Sequence, residues 1–330
     1  MNDLLQYTAP MSRECLPFLK WAGGKRKITG LLYDAFPENF ARNGGNYYEP
    51  FVGGGALALS LGDYEENQKI TGNRIFINDM NPDLVTTYEV IRDDVKALML
   101  KLDEIDIEFK ALKRPEEIEI SNSGNFSDPS KISRSDYFYR IRAEEPVDKI
   151  DIAARLIFLN KTCFNGLWRV NSKGKFNVPY GHHKNPSLYD KQNLEECHLR
   201  LQGATISNNE FDQAVIDASQ GDLVYFDPPY IPLNLTSSFS QYSKNDFGLE
   251  EQQQLAETIQ SLTNRGVNVI LSNSDTPETR EIFGGVLTLR RILMSRFISA
   301  SGSNRNPVYE VIGTNFEINP DSDLANLELI

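Results

Sequence analysis

Leu223-Val224-Tyr225-Phe226-Asp227-Pro228-Pro229-Tyr230 is an apolar run of strand length that ends in a carboxylate, two prolines and a tyrosine. Proline lacks the N–H that a ladder needs and fixes φ, so the strand stops at Asp227 and the backbone turns stiffly. In an open α/β sheet, ligands bind just beyond the carboxyl ends of strands, which makes Asp227 and Tyr230 candidate site residues. The corner offers fixed acceptors, the Asp227 carboxylate and the Pro228 carbonyl, beneath an aromatic face. A planar base with an exocyclic amino group suits it: its N–H groups donate to the acceptors and its ring stacks on Tyr230. Alone, the stretch reads equally well as a strand closed by a Pro-Pro turn, and the rest of the chain decides.

Upstream, Tyr47-Tyr48-Glu49-Pro50-Phe51-Val52-Gly53-Gly54-Gly55 reads as a short strand, a glycine turn and the start of a small-residue helix. The layout is that of a dinucleotide fingerprint without its G-x-G-x-x-G spacing, and Glu49 precedes the glycines. A carboxylate there repels a pyrophosphate but suits a ligand that carries an ammonium and no phosphate, such as S-adenosylmethionine; nicotinamide binding is the weaker variant. Strand-like Ile75 to Asn78 ends in Asp79, where an acid can accept hydrogen bonds from ribose hydroxyls. Before this half, Trp21 offers a stacking face, Gly23-Gly24 a close backbone approach and Lys25 a cation for a carboxylate.

The 330 residues, 40% of them hydrophobic, suffice for one large core or a core and a smaller domain. No apolar run approaches the ~20 residues of a membrane span. Cys15, Cys163 and Cys197 have neither paired nor metal-ligand spacing, so no metal site is expected and a reducing cytoplasm is. The net charge of −12 disfavours a nucleic-acid partner, but its distribution favours one. The windows Cys15–Tyr33, Ile152–Tyr189 and Ile282–Tyr309 carry fourteen of the 34 basic residues and none of the 46 acidic ones. That segregation predicts an electropositive face on an acidic body, suited to a phosphate backbone.

Within the second window, short strands flanking Asn171 to Gly174 form a hairpin candidate. Leu167, Arg169, Lys173 and Lys175 fit a basic ribbon narrow enough for a major groove, where Arg grips a guanine edge and Leu167 touches a thymine methyl. Helical patterns run from Ile28 to Phe36, Leu84 to Ile107, Ile150 to Lys161, Glu195 to Leu201 and Glu250 to Thr263. Val267 to Leu271 and Val308 to Phe316 read as strands. Residues 231–244 form a polar loop, either a linker or a cover over substrate, and the acidic tail from Asn319 is expected to fray.

Six stretches carry a family resemblance: F-L-K-W-A-G-G-K (Phe18–Lys25), E-P-F-V-G-G-G (Glu49–Gly55), I-N-D (Ile77–Asp79), Phe164–Gly181, D-P-P-Y (Asp227–Tyr230) and L-S-N-S (Leu271–Ser274). In this order they are similar to Dam-type DNA adenine-N6 methyltransferases of the alpha group, the D12 class; Ser301 to Tyr309 fits as well. The resemblance implies an α/β Rossmann-like methyltransferase sheet with an inserted helical and β-hairpin target-recognition domain. The expected division is 1–82 and 191–330 for catalysis and cofactor, and 83–190 for recognition. It implies that Trp21, Lys25, Glu49, Phe51, Gly53, Gly55, Asp79 and Asp227 hold S-adenosylmethionine. Asp227, Pro228, Pro229 and Tyr230 would form the catalytic corner for a flipped adenine. Lys20, Asn165, Leu167, Arg169, Lys173 and Pro179 would face duplex DNA at a site that is GATC in close relatives. A separately acting restriction endonuclease is a possible partner, and a cytoplasmic, nucleoid-associated location follows. His182 stands where relatives often carry Arg, and Trp168 is bulkier than expected. The alternatives are N4-cytosine or RNA adenine methylation, or a catalytically silent DNA-binding regulator.

Overall fold

The computed structural model describes residues 15–38, 40–62, 70, 74–114, 132–231, 247–294 and 308–330. Along the chain run α1 (Thr29–Asp34), α2 (Phe40–Asn43), β1 (Tyr47–Glu49), α3 (Ala56–Ser60), β2 (Ile75–Asn78), α4 (Pro82–Ala111), α5 (Arg134–Ala143), α6 (Lys149–Thr162) and α7 (Lys191–Leu201). Then follow β3 (Thr205–Ser207), β4 (Leu223–Phe226), α8 (Leu249–Asn264), β5 (Asn268–Ser274), α9 (Pro277–Phe283), β6 (Thr288–Met294), β7 (Val308–Thr314) and β8 (Glu328–Leu329). They group into two compact units, one of residues 1–15, 25–80 and 203–330, the other of residues 16–24 and 81–202. Packing therefore places Leu16–Gly24 and all of α7 with the second unit.

The first unit is a mixed α/β body around one sheet of order β3-β2-β1-β4-β5-β7-β6-β8. β1 to β5 run parallel to one another, and β7, β6 and β8 close one side antiparallel. All four residues of β4 are buried, as an apolar run without alternation demands of a central strand covered on both faces. α8 lays Leu255, Ile259 and Leu262 against Val224, Phe226, Val269 and Leu271. The strand order reverses between β1 and β4, so their carboxyl ends flank a topological switch point. Glu49 ends one of these strands and Asp227 follows the other.

In the second unit, α4 starts at Asn81, whose side chain accepts from the Asp83 and Leu84 amides, with Pro82 in the first turn. Its helical geometry breaks at Asp94, a feature the unbroken apolar periodicity did not foretell. Phe109, Tyr137 and Phe158 pack edge-to-face, with centroids 5.3 Å apart for Phe109–Phe158 and 5.7 Å for Tyr137–Phe158.

The chain reverses about Asn171 as a short hairpin: Val170 bridges Phe176 antiparallel, the Asn171 amide donates to the Lys175 carbonyl at 2.9 Å and the Asn177 amide to the Arg169 carbonyl at 3.0 Å, while the Asn171 side chain accepts from the Lys173 and Lys175 amides within the turn. One expectation is corrected. The acidic tail is a docked sheet edge: β8 pairs with β6, Leu324 is fully buried and Glu328 pairs with Arg291. The expected loop at 232–244 and the Ser301–Tyr309 stretch up to Pro307 lie outside the described residues.

Candidate active site

β4 delivers its last side chains into the core and then breaks at Asp227, as the two prolines require. Lys25, only 4% exposed, places Nζ 2.8 Å from Asp227 Oδ1 and 4.6 Å from the centroid of the Tyr230 ring. The lysine expected to meet a ligand's carboxylate is thus paired with the corner's own acid. Burial raises the pKa of Asp227, and the Lys25 ammonium opposes that rise. The Tyr230 hydroxyl donates to Glu310 Oε2 at 3.1 Å, which anchors the tip of the ring. Glu310 lies on β7 opposite Ser274 of β5, so the antiparallel side of the sheet supplies the tyrosine's anchor.

At the neighbouring strand end, Glu49 is 3% exposed and accepts from the Tyr47 hydroxyl at 2.8 Å. Burial pushes its pKa up to about 8, against the hydrogen bond from Tyr47; the Asp227 charge raises it further and Lys25 lowers it only weakly. Two buried carboxyls therefore share one ammonium, and that ammonium is committed to Asp227. A cation delivered by a ligand would let Glu49 ionise. The glycine turn that follows has left-handed backbone at Gly53 (φ 47) and Gly55 (φ 66), geometry that an L side chain adopts only with strain. Its Val52 amide donates to the Asn78 carbonyl at 2.9 Å and its Gly53 amide to Asp79 Oδ2 at 3.0 Å. One oxygen of Asp79 is thus engaged in holding the turn. Phe51 packs beside the turn against Phe211 and Phe247, at 5.6 and 5.4 Å.

The second unit gathers most of the residues expected to meet DNA. Asn160, fully buried at the end of α6, accepts from the Lys20 amide at 2.9 Å and donates to the carbonyls of Lys20 and Gly166 at 2.7 and 3.2 Å. That clamp sets Lys20 beside Asn165 and Leu167, segments far apart in sequence. The Phe164 amide donates to the Pro179 carbonyl at 2.9 Å, adding Pro179 to the group. Lys20, Asn165, Arg169, Lys173 and Pro179 are exposed, and Leu167 is half-buried. Asn165 sits at φ 56, a left-handed conformation that Asn tolerates better than most residues. Trp21 belongs to this unit and stacks on Trp168 with centroids 6.2 Å apart, so the bulky Trp168 serves as its partner. His182, at φ 53, lies 4.9 Å from the Tyr180 ring.

The acid-free windows are less cationic in space than in sequence. Arg155 bonds to the Ile141 and Arg142 carbonyls and approaches Asp83, and Lys175 pairs with Glu145. Arg169 donates to Asn177 Oδ1 at 2.7 Å. Burial brings the pKa of Lys161 down to about 8, and the Lys20 charge lowers it further. Cys15, Cys163 and Cys197 are buried, and none forms a disulfide among the described residues.

Glu310 and Gln252 went unread in the sequence. Glu310 gives no local signal, because it meets Tyr230 only through the sheet. Gln252 does give one: it occupies an inward position of the 252, 255, 259, 262 stripe that α8 otherwise fills with Leu255, Ile259 and Leu262.

Comparisons with known proteins point to one family. The family model for D12 class N6 adenine-specific DNA methyltransferases matches residues 21–294. The Type II methyltransferase M.MjaIII of Methanocaldococcus jannaschii is 37% identical over 315 residues, covering 92% of this chain and 100% of the relative. M1.LlaDCHI of Lactococcus lactis, also a Type II methyltransferase, is 33% identical over 91% of this chain and 95% of its own length. A DNA adenine methylase of Vibrio cholerae is 32% identical over 89% and 94%. The chain belongs to the D12 class N6 adenine-specific DNA methyltransferases.

Proposed function

We propose that the chain moves a methyl group from S-adenosylmethionine to N6 of an adenine turned out of duplex DNA, within GATC. The observation that carries this reading is the pairing, at the sheet's switch point, of a proline-locked acceptor corner (Asp227 to Tyr230) with a buried carboxyl, Glu49, for which no salt bridge occurs among the described residues. An adenine amino group is a poor nucleophile because its lone pair is delocalised into the ring. The base leaves the stack at a cost of a few kcal/mol. Its two N–H groups donate to the Asp227 carboxylate and the Pro228 carbonyl, which favours a pyramidal nitrogen with an available lone pair. Tyr230, its hydroxyl held by Glu310, gives the ring a fixed face to stack on. As positive charge develops on nitrogen, the Asp227 carboxylate would stabilise it in a site already shaped for it; the donor would leave as a neutral thioether, and one N6 proton would be lost to solvent.

S-adenosylmethionine, when bound, supplies an electrophilic methyl on a sulfonium. Glu49 would take its ammonium, the Phe51 to Gly55 turn would approach its backbone closely, and Asp79 would accept from its ribose. Trp21 and Lys25 complete the expected set. The second unit would act as the inserted recognition domain, with Lys20, Asn165, Leu167, Arg169, Lys173 and Pro179 toward the duplex. Relatives are named both as Type II methyltransferases and as DNA adenine methylases, so either a partner endonuclease or a solitary role fits. The reading is tested by transfer of labelled methyl to a GATC duplex beside the same duplex with GTTC. Label on the first alone supports it, and label on both or on neither removes the GATC assignment.

A further inference from the structure

The D-P-P-Y corner cannot hold itself. Of the five residues Asp227 to Ile231, two are prolines, so only Asp227, Tyr230 and Ile231 carry a backbone N–H. The corner must be held from outside, and a chain of buried side chains does so. Gln252 of α8, fully buried, donates from Nε2 to the Pro229 carbonyl at 2.8 Å. Its Oε1 accepts from Asn273 Nδ2 at 3.0 Å. Asn273, also fully buried, accepts on Oδ1 from the Ile231 amide at 3.3 Å and the Ser274 amide at 2.8 Å. The Ser274 hydroxyl donates to the Ile231 carbonyl at 2.6 Å. Both carbonyls that flank Tyr230 in the next positions, Pro229 and Ile231, are therefore bonded from beneath. For the Pro228 carbonyl no hydrogen bond occurs among the described residues.

We propose that Gln252 is a positioning residue for methyl transfer: it turns the Pro229 peptide away from the reacting base and leaves the Pro228 carbonyl pointing at it. Every donor and acceptor in the chain runs one way, Asn273 to Gln252 to Pro229, so the side-chain amide has one productive orientation. The other inward positions of α8 are leucine and isoleucine, and an apolar residue at 252 would strand the Pro229 carbonyl in the core without a donor. A shift of the corner by about 1 Å is enough to cost on the order of 100-fold in rate, because the bound geometry must be near that of attack. The inference rests on the catalytic reading of Asp227 given above.

Three variants of the full chain test it: Gln252→Met, Gln252→Glu and, as a control on the site itself, Asp227→Ala. Methyl transfer would be followed in single turnover at saturating donor between pH 5.5 and 8.5, with donor binding measured separately. Gln252→Met is expected to lower the transfer rate at least about tenfold while changing the donor's Kd less than about threefold. Gln252→Glu is the sharper probe. Its protonated carboxyl has the size and the donor–acceptor pattern of the amide, whereas its ionised form sets a second acceptor against the Pro229 carbonyl. Burial raises that carboxyl's pKa. The rate of Gln252→Glu relative to the unaltered enzyme should therefore recover toward one as pH falls and drop at least about tenfold as pH rises. A Gln252→Met rate within about twofold of the unaltered enzyme, or a Gln252→Glu deficit equal at every pH, overturns the proposal. Should Asp227→Ala retain full activity, the corner is not the catalytic site and the positioning role falls with it. Should Asp227→Ala be inactive while both Gln252 variants are normal, only the positioning role falls.

Discussion

Glu49 makes the most quantitative claim about the site. In the unliganded fold its pKa is pushed up to about 8 from an ordinary 4.5, mainly by burial. Between those values the folded chain holds a proton there that the unfolded chain has released. Stability thus falls as pH rises from about 4.5 and the contribution is gone once pH passes about 8. Each tenfold difference in proton affinity between the two states is worth about 1.4 kcal/mol, so the loss across that window is on the order of 5 kcal/mol, an upper bound because the buried site can relax. Glu49→Gln keeps an acceptor for the Tyr47 hydroxyl and removes the titration. Denaturant unfolding without ligand, from pH 5.5 to 9, should show the unaltered chain losing stability on the alkaline side while Glu49→Gln stays level. The same proton opposes a cationic ligand. Affinity for S-adenosylmethionine should rise by up to about tenfold per pH unit until about pH 8, with a proton released on binding, and Glu49→Gln should bind weakly without that slope. Parallel stability curves for the two proteins, together with equal pH slopes for binding, would refute the reasoning.

Three further predictions rest on contacts within each unit. Asp227→Ala should lower turnover at least ~100-fold by removing the group that meets developing charge. It should also destabilise the chain by about 3–5 kcal/mol, since Lys25 is left buried and without its carboxylate; adding Lys25→Met should restore most of the unfolding free energy and none of the turnover. Asn160→Ala, which strips the clamp from Lys20 and Gly166, should cost at least about 2 kcal/mol in denaturant unfolding, and it should reduce the preference for GATC over GTTC in competition assays. Neutralising exposed Lys20 or Lys173 should lower the slope of log affinity against log salt by about one each, whereas Arg155→Gln, already bonded inside the second unit, should leave that slope unchanged.

What the sequence disclosed was governed by local chemistry. The β4 corner was legible because a doubly covered strand needs an unbroken apolar run and prolines must end it. The turn after β1 was legible because positive φ needs glycine. α4 showed its start through Asn81-Pro82 and its buried face through its periodicity, although the break at Asp94 left no mark. Partners that lie close only through the fold were hidden. The acid-free windows misled in part because Glu145 lies 30 residues from Lys175 and still pairs with it. The tail looked frayed on composition, yet Leu324 is buried and Glu328 finds Arg291 across β6. α9 is marked in the sequence by Thr276-Pro277, a cap followed by proline, although its seven residues are too few to show an apolar period. Glu310 acquires its role from sheet register, and Asn273 from its hydrogen bonds to Gln252 and Ile231, neither of which a single-sequence pattern encodes.

The central claim is that the Asp227 corner methylates adenine N6 in duplex DNA. The most direct measurement is digestion of a reacted GATC duplex to nucleosides, followed by mass analysis of the methylated base. The account predicts N6-methyladenine from the unaltered chain, none from Asp227→Ala, and none from an RNA duplex of the same sequence. N4-methylcytosine as the product, methylated RNA, or N6-methyladenine undiminished in Asp227→Ala would contradict it.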